Sequence, residues 1–439
     1  MGPAEMQSVE VTAIDTDSRK VPKGGLFVAI KGERVDGHKF IDQVIAGGAL
    51  AVLSEIDLGE KPFPYIIVNS SLQAVKDIAE FYLKQLHIPV VGIAGSVGKT
   101  STKEMTYSVL RQKYNVLKTE GNFNNELGVP LTIFRLRDEH EMAVLEMGIS
   151  DFGEMHRLAK IVRPNTVIMT NIGYCHLENL IDRDGVLKAK SEIFDFIESD
   201  AHIILNGDDD KLATITSVKG IKPTTFGFSP DRDFWADELK SLGLNGTSCH
   251  IHTPAGSFHA TVGMPGRHMV ANALAGAAAG LAYGLKLEQI KAGIESNESL
   301  SGRFNIINTD HFTIIDDCYN ANPVSMKASL GVLQDGANRR VAILGDMGEL
   351  GADEKALHAE VGKFAATLNI DAIYCAGPLS EAISNEAKNS DKVKDVRHFA
   401  NREALIAALP SLLKEGDTIL VKASHFMNFT EIVTQLKQF

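Results

Sequence analysis

The feature that most constrains the fold is an apolar run that leads into a glycine-rich loop. Val90–Ala94 reads VVGIA, GSVGKTS follows at 95–101, and a helical pattern comes next. A strand, a glycine loop and a helix N-terminus in this order are typical of a phosphate-binding loop, because backbone amides and the helix dipole face the phosphate oxygens. We predict that Lys99 reaches the phosphates of a nucleotide and that Thr100 serves a magnesium ion.

The glycine spacing of this loop departs from the general pattern GxxxxGK[ST]. That pattern requires glycine at position 93, where this chain has Ile93, and glycines stand instead at 92, 95 and 98. A chance turn before a helix is the alternative explanation of the tripeptide GKT. The preceding strand and the spaced glycines favour a phosphate loop. Its predicted residues are Gly95, Ser96, Val97, Gly98, Lys99, Thr100 and Ser101.

Short apolar runs alternate with helical patterns along the chain, which indicates an α/β protein with parallel sheets covered by helices. With 439 residues the chain exceeds what one hydrophobic core accommodates. We predict three α/β domains over residues 1–86, 87–303 and 304–439, the central one a phosphate-loop domain with a parallel sheet and the last one Rossmann-like. The strands predicted after residue 86 are VVGIA, MAVLEM, TVIMTN, AHIILN, FTIID, RVAIL, AIYCA and TILVK.

Composition excludes several classes of protein. The net charge of −12 argues against a broad surface for nucleic acid or anionic membrane. Four scattered cysteines without a CxxC pair are typical of reduced thiols rather than of a disulfide framework or a zinc site. No apolar run reaches the ~18 residues of a membrane span, and the first residues lack the apolar region of a signal peptide. We expect a cytoplasmic monomer.

Polar side chains follow several predicted strands of the central domain. Glu146 ends AVLE, His176 lies shortly after TVIMTN, and three aspartates at 208–210 follow AHIILN. Together with the phosphate loop these groups predict a site with two Mg²⁺ ions, which would neutralise two approaching anions. The alternatives are a solvated glutamate, a structural histidine and a turn solvated by its aspartates.

With these residues in place, the sequence resembles the Mur ligase family, the ATP-dependent amino-acid ligases of peptidoglycan precursor synthesis. GIAGSVGKTS at 92–101 looks like the family's phosphate loop. TDSR at 16–19, with GGLFVAIKGERVDGHKF at 24–40, is similar to the family's UDP-binding N-terminal domain. Four further segments resemble the members that add a D-alanyl-D-alanine dipeptide. They are EGNFNNE at 120–126, EMG at 146–148, DDCYNANP at 316–323 and ILGDM at 343–347. The resemblance covers essentially the whole chain, and the DNPR motif of the members that add the third residue is absent.

The resemblance implies a ligase that joins D-Ala-D-Ala to the terminal carboxylate of a UDP-MurNAc-tripeptide through an acyl phosphate, with ATP and two Mg²⁺ ions as cofactors. One alternative is another ligase of the superfamily, which adds a single amino acid to a UDP-sugar peptide or glutamate to folate. The N-terminal segment argues against folate. The other alternative is a phosphate-loop regulator without ligase activity.

The resemblance also implies the roles of individual residues. The catalytic and metal-binding residues are Lys99, Thr100, Glu146, His176 and Lys190. In relatives the lysine aligned with Lys190 is carbamylated, which turns a cation into a metal-binding carboxylate, and an unmodified surface lysine is the alternative. Further nucleotide-binding residues are His268, Asn272, Arg303, Asp317 and Tyr319. The implied substrate-binding residues are Ser18, Arg19, Asn124, Asn125, Asp346 and Glu349.

One segment departs from the family. VKASH stands at 421–425, where relatives usually have VKGSR, so that Ala423 replaces a glycine and His425 an arginine. Histidine is mostly neutral at pH 7, whereas arginine is a fixed cation. We expect this difference to alter a contact on the substrate side of the last domain.

Overall fold

In the part of the chain that the structure describes, the strands form three separate sheets. The computed structural model describes residues 10–32, 35–298 and 300–439. We call the parts of the chain around the sheets the N-terminal unit (14–86), the central unit (90–295) and the third unit (305–436). Each sheet is mainly parallel and its strands alternate with helices, so the predicted α/β class is confirmed. The exact domain bounds stay a prediction.

The N-terminal unit is a four-stranded parallel sheet in the order β1-β2-β3-β4. Its strands are β1 Ile14–Asp15, β2 Leu26–Val28, β3 Ala51–Ser54 and β4 Tyr65–Ile67, and its helices are α1 Ile41–Ala46 and α2 Ser71–Leu86. A 3₁₀ helix at Gly37–Phe40 precedes α1. His87, with a left-handed φ of 51°, ends α2 at the predicted seam HIP.

The central unit is a nine-stranded sheet in the order β13-β12-β11-β10-β9-β8-β5-β7-β6. Its parallel strands are β5 Val90–Ala94, β6 Val116–Lys118, β7 Met142–Glu146, β8 Thr166–Met169, β9 His202–Asn206, β10 Thr224–Gly227 and β11 Phe234–Ser241. Two antiparallel strands, β12 Thr247–Thr253 and β13 Gly256–Val262, extend the sheet beyond β11. The sequence patterns did not predict this antiparallel extension.

Seven α-helices accompany the central sheet. They are α3 Lys99–Leu110, α4 Gly128–Ile133, α5 Glu154–Val162, α6 Leu177–Leu180, α7 Arg183–Ser191, α8 Arg267–Ala282 and α9 Leu287–Glu295, with 3₁₀ helices at Glu192–Phe194 and Leu212–Thr214. The helix that follows the phosphate loop, α3, packs against the sheet beside α8, which also contacts the sheet. Gly280 of α8 lies so close that an added Cβ would stand 2.7 Å from Val109 of α3. The small residues of α8 therefore permit close helix packing.

The third unit is a six-stranded sheet in the order β14-β15-β19-β16-β17-β18, parallel except for the pair β14-β15. Its strands are β14 Asn305–Asn308, β15 Thr313–Asp316, β16 Arg340–Gly345, β17 Ala372–Ala376, β18 Asp395–Phe399 and β19 Thr418–Lys422. Its helices are α10 Pro323–Leu333, α11 Glu354–Thr367, α12 Glu381–Ala387, α13 Arg402–Leu412 and α14 Thr430–Leu436, with 3₁₀ helices at Gly351–Asp353 and His425–Met427. Within the described ranges, no helix has both the length and the apolar character of a membrane span.

Candidate functional site

A cleft of about 1290 Å³ lies where the three units meet. Its walls include Ile30 and Leu72 of the N-terminal unit, the loop at 96–101 of the central unit, and Asp317 and Lys422 of the third unit. The carboxyl ends of β5, β7, β8 and β9 open into it, which is where open α/β sheets bind ligands. The volume is large enough for a nucleotide and part of a second ligand.

Most of the predicted site residues line this cleft. They are Ser96, Val97, Gly98, Lys99, Thr100, Ser101, Asn124, Asn125, Glu146, His176, His268, Asn272, Arg303, Asp317 and Tyr319. Six predicted residues stand outside the lining, namely Ser18, Arg19, Gly95, Lys190, Asp346 and Glu349.

The phosphate loop is held by the residues that follow β8. The amide N–H of Val97 donates to Asn171 Oδ1 at 3.0 Å, and the amide of Asn171 donates back to the Val97 carbonyl at 2.9 Å. Thr170 donates its hydroxyl to the same carbonyl at 2.6 Å. A side chain at Gly95, whose φ is +147°, would overlap Thr170. Glycine is therefore required there, and the hydrogen bonds with Thr170 and Asn171 hold the loop in this conformation.

Glu146 lies at the end of β7, 1% exposed, beside the phosphate loop. One carboxylate oxygen accepts from the Thr100 hydroxyl at 2.8 Å, and the other accepts from the Asn124 amide at 2.8 Å. Among the described residues, no lysine, arginine or histidine forms an ion pair with this buried carboxylate. An alcohol and a carboxylate beside a phosphate loop are oxygen donors that suit Mg²⁺, so these residues fit a hard cation.

Two lysines with different surroundings approach the loop from the central unit. Lys99, the first residue of α3, donates its ammonium to the Gly95 carbonyl at 2.9 Å, a contact that a phosphate could replace. Lys190 on α7 is 1% exposed. Burial, with the nearby charge of Lys99, lowers the pKa of Lys190 to about 8, although the Cys175 thiol opposes the shift.

His176 connects the central unit to the third unit. It begins α6 with a left-handed φ of 52°, and its Nδ1 lies 2.6 Å from Glu349 Oε2. The amide of Leu177 donates to the Glu349 carbonyl at 3.1 Å. The contact with His176 holds the pKa of Glu349 below its usual range. His176 and Glu349, predicted as a metal ligand and a substrate-binding residue, therefore contact each other. Their contact bridges the central and third units at the edge of the cleft.

One end of the cleft has an apolar lining around the start of α8. His268 lies edge-on to Phe304 with ring centroids 6.2 Å apart, and burial lowers the pKa of His268 to about 4. Asn272, one turn later, accepts from the Thr102 hydroxyl at 3.0 Å and thereby ties α8 to α3. An apolar slot next to a phosphate loop suits the flat base of a nucleotide.

The third unit and Arg303, which lies just before it, form a compact polar cluster. The guanidinium of Arg303 stacks over the ring of Tyr319 at 3.9 Å. Asp317 accepts from Lys422 Nζ at 2.6 Å and from the Ser329 hydroxyl at 2.6 Å. Lys422 is 2% exposed, and a buried charge needs compensation. Asp317 and backbone carbonyls provide it at the cleft wall.

The predicted substrate residues are only partly brought together. Asn125 accepts from the amide of Gly128 at 2.8 Å and stabilises the start of α4. Arg19 is highly exposed and pairs with Asp17 at 2.8 Å, away from the cleft lining. Asp346 is buried, and its carboxylate accepts from the amide of Ser380 at 2.7 Å. This contact gives Asp346 a structural role within the third unit.

The three aspartates after β9 do not line the cleft. Asp209 accepts from the amide of Ile172 at 2.9 Å, Asp208 accepts from the amide of Phe228 at 2.7 Å, and Asp210 pairs with Arg183. These contacts fix turns, as the alternative interpretation of the sequence stated. The prediction that this strand end supplies acidic groups to the metal site was therefore wrong; its contribution to the lining is Asn206.

Two residues of the site received no role in the sequence analysis. Asn171 fixes the phosphate loop, and Lys422 faces Asp317. In both cases a signal was present, because a polar residue stands at the end of an apolar strand. The partner of each residue is far away in sequence, by 74 and 105 positions, and could not be inferred from spacing alone.

Comparisons with known proteins agree with this arrangement. Three family models match the chain: Mur ligase family, catalytic domain, over residues 10–100; Mur ligase middle domain over 93–280; and Mur ligase, glutamate ligase domain, over 302–425. The UDP-N-acetylmuramoyl-tripeptide–D-alanyl-D-alanine ligase of Escherichia coli K12 is 39% identical, over 99% of this chain and 96% of the relative.

Solved structures are similar over the same extent. MurF from Acinetobacter baumannii superposes with a TM-score of 0.88 at 34% identity, covering 97% of this chain and 93% of that protein. MurF ligase from Thermotoga maritima, solved in complex with ADP, superposes with a TM-score of 0.85 at 28% identity and covers 97% of both chains.

Proposed function

Because this chain belongs to the Mur ligase family, we propose that it joins D-alanyl-D-alanine to the terminal carboxylate of a UDP-N-acetylmuramoyl-tripeptide at the expense of ATP. The family resemblance inferred from the sequence is confirmed over nearly the whole chain. The observation that carries the proposal is the cleft, in which the phosphate loop and Glu146 face groups from both other units. A reaction between a nucleotide, a carboxylate and an amine needs such a meeting point.

The proposed reaction proceeds in two displacements. A carboxylate oxygen of the tripeptide attacks the γ-phosphorus of ATP, the bond to the β-phosphate oxygen breaks, and ADP leaves. The free amine of D-Ala-D-Ala then attacks the acyl carbon, inorganic phosphate leaves, and the new amide nitrogen loses a proton. Phosphorylation provides a better electrophile and a better leaving group than the free carboxylate. The protein positions the reactants and neutralises their charge.

The chain's own residues have distinct roles in this scheme. The loop amides and Lys99 bind the β- and γ-phosphates, and Lys99 exchanges its present contact with the Gly95 carbonyl for phosphate oxygens. Thr100 and Glu146 hold a Mg²⁺ ion, which when bound neutralises the phosphate charge. The slot at His268 and Asn272 takes the base, while Arg303, which precedes the third unit, and Asp317 and Tyr319 of that unit approach from the other side.

We assign Lys190 to a second Mg²⁺ ion, together with His176, and propose that the lysine is carbamylated. An ammonium cannot bind a cation, and Lys190 is buried without a carboxylate partner among the described residues. Addition of CO₂ to the neutral amine forms a carbamate and releases one proton, which supplies an anionic oxygen ligand. Labelled bicarbonate should give a carbamate signal in the wild type and in Lys188→Arg, which alters an exposed lysine of the same helix. A signal that persists in Lys190→Arg would place the modification elsewhere.

The function is tested by measuring ADP release with a defined UDP-MurNAc-tripeptide, with and without D-Ala-D-Ala. We expect release that depends on the dipeptide, with single amino acids inactive. Lys99→Ala should reduce the rate by at least about 100-fold, because a preorganised phosphate contact is lost. Lys84→Ala is the control, since among the described residues Lys84 pairs only with Glu80, on the surface of α2.

The outcomes separate the alternatives. Dipeptide-dependent release that survives Lys99→Ala contradicts the proposed phosphate site. Release that depends on a single amino acid identifies another ligase of the family. Slow ATP hydrolysis whose rate is unchanged by D-Ala-D-Ala and by single amino acids indicates a nucleotide-dependent regulator.

A further inference from the structure

The antiparallel end of the central sheet presents an unusual face to solvent. Alternation along β11, β12 and β13 places Phe234, Ala236, Cys249, Ile251 and Ala260 on the buried face. The other face carries Trp235 and Asp237 of β11, His250 and His252 of β12, and His259 of β13. None of these five outward residues lines the cleft. The proposed ligase reaction therefore leaves this face without a role.

Strand register brings the imidazoles and carboxylate into two adjacent rows. Asp237, His250 and His259 are directly opposite one another across three strands, and Trp235 is opposite His252 in the next row. Asp237 Oδ1 lies 3.0 Å from His252 Nε2 and 3.6 Å from His250 Nδ1. All three ligand atoms lie within 4.8 Å of one another. Ligands of a tetrahedral zinc ion, bound at about 2.0–2.1 Å, are about 3.4 Å apart, so this spacing needs little rearrangement.

The ring of His252 is held in place by its neighbour. The indole of Trp235 stacks on it with centroids 3.7 Å apart and planes inclined by 4°. This contact fixes the imidazole so that Nε2 faces Asp237. A preoriented ring lowers the entropy cost of binding an ion, as hydrogen bonds to ligating histidines do in metal sites.

A β-bulge adds a second carboxylate to the same region. The register between β11 and β12 shifts between Asp237 and Lys240, and Glu238 has a left-handed φ of 50°. Without the bulge, Glu238 would point to the face opposite Asp237. In the structure its carboxylate lies 4.0 Å from His259 Nδ1. A non-glycine residue in this conformation is strained, and such strain is concentrated at functional sites.

We propose that Asp237, His250 and His252 bind one divalent transition-metal ion of the class that prefers imidazole, with Zn²⁺ as its representative. A carboxylate with two neutral imidazoles matches this class rather than Mg²⁺, which prefers oxygen ligands. Glu238, His250 and His259 form an overlapping set. Its contact is longer and its outer side chains are more exposed, so we assign the ion to the first set.

The test uses the full chain with excess Mg²⁺, so that sites with oxygen ligands are occupied. Zn²⁺ is titrated calorimetrically, and Ni²⁺ is titrated while the fluorescence of Trp235, the chain's one tryptophan, is followed. We expect one Zn²⁺ per chain and saturable quenching by Ni²⁺ that Zn²⁺ reverses. His252→Gln and Asp237→Asn should each weaken binding by at least about 10-fold. Both variants should keep the ligase activity, because the face lies outside the cleft.

His259→Gln is the matched control, since His259 lies on the same face and belongs only to the overlapping set. Affinity within about twofold of the wild type in this variant supports the assigned ligands. Loss of binding in His259→Gln with retention in His252→Gln overturns the assignment. Absence of a saturable one-to-one interaction in the wild type overturns the proposal altogether.

Discussion

At the scale of single residues, surroundings rather than residue type determine the charge of the groups at this cleft. Lys99 rests on a backbone carbonyl at the cleft wall, whereas Lys190 is enclosed and has a pKa of about 8. His268 is partly buried beside Phe304, and its pKa of about 4 keeps the imidazole neutral at pH 7. Burial disfavours the charged form in both cases. A neutral His268 suits an apolar slot for a base, and a partly neutral Lys190 suits reaction with CO₂.

The neutral state of His268 makes folding sensitive to acid. The pKa is 6.5 for the unfolded histidine and about 4 in the folded protein, so between these values the unfolded chain binds a proton that the folded chain does not. Stability should therefore fall as pH decreases from about 6.5 to about 4, with at most about 3 kcal/mol from this group. The measurement is the free energy of unfolding of the transition that includes α8, taken at several pH values in this window.

The variant His268→Gln should lose less stability on acidification than the wild type, whatever its stability at pH 7. His311→Gln replaces an exposed histidine of the third unit and serves as the control. Equal acid sensitivity in the wild type and His268→Gln would show that other groups dominate this pH window.

At the scale of elements, the sequence predicted what apolar patterning encodes. The strand VVGIA coincides with β5 at Val90–Ala94, and AIYCA coincides with β17 at Ala372–Ala376. Both strands are buried on two faces, so their apolar runs are continuous. The strands β12 and β13 were not predicted, because their outer face carries histidines, serines and threonines and only alternate residues are apolar. Pairing with β11 stabilises them, and pairing is not encoded locally.

The same distinction applies to the candidate site. The phosphate loop and Glu146 could be predicted because the loop directly follows a buried strand and Glu146 ends one. Placing His268 and Asp317 at the cleft required the family resemblance. The contact between His176 and Glu349 joins residues 173 positions apart in different units, and no sequence pattern indicated it. Long-range juxtaposition of this kind depends on how the units meet.

The packing of α9 against α3 gives a prediction at this scale. A Cβ at Gly293 would overlap the backbone of Val109 and stand 2.7 Å from the Ser108 carbonyl oxygen, neither of which can move alone. We expect Gly293→Ala to destabilise the central unit by about 1–3 kcal/mol, measured by chemical denaturation. The matched control is Gly331→Ala in α10, where an added Cβ meets nothing within 4 Å.

The control variant Gly331→Ala should be neutral or more stable by about 0.5–1 kcal/mol, because alanine has a higher helix propensity than glycine. Equal destabilisation by both variants would mean that loss of glycine, rather than the helix contact, determines the effect.

At the scale of the whole molecule, the N-terminal and central units share one buried hydrophobic cluster, whereas the third unit is joined to the central unit by few polar contacts around the cleft. Lys76 of the N-terminal unit pairs with Glu126 of the central unit at 2.5 Å. On the other side, Ser241 donates to Asp335 at 2.8 Å, and His176 meets Glu349. An interface with few contacts permits relative movement, so the third unit is the one expected to move against the other two. A cleft that must admit three reactants and then exclude water needs that freedom.

The contact between His176 and Glu349 should therefore bias the arrangement of the units without fixing it. Glu349→Gln removes the charge, while the backbone bond from Leu177 to the Glu349 carbonyl remains possible. An exposed pair contributes about 0.2–1 kcal/mol. We call molecules with the central and third units in contact at His176 closed and the others open, and their ratio should fall by at most about fivefold. Small-angle scattering should report a larger radius of gyration for Glu349→Gln. The matched control is Glu415→Gln, whose carboxylate also pairs with a histidine, His311, but within the third unit. If both variants expand equally, loss of one surface charge explains the change and the bridge between the units does not control closure.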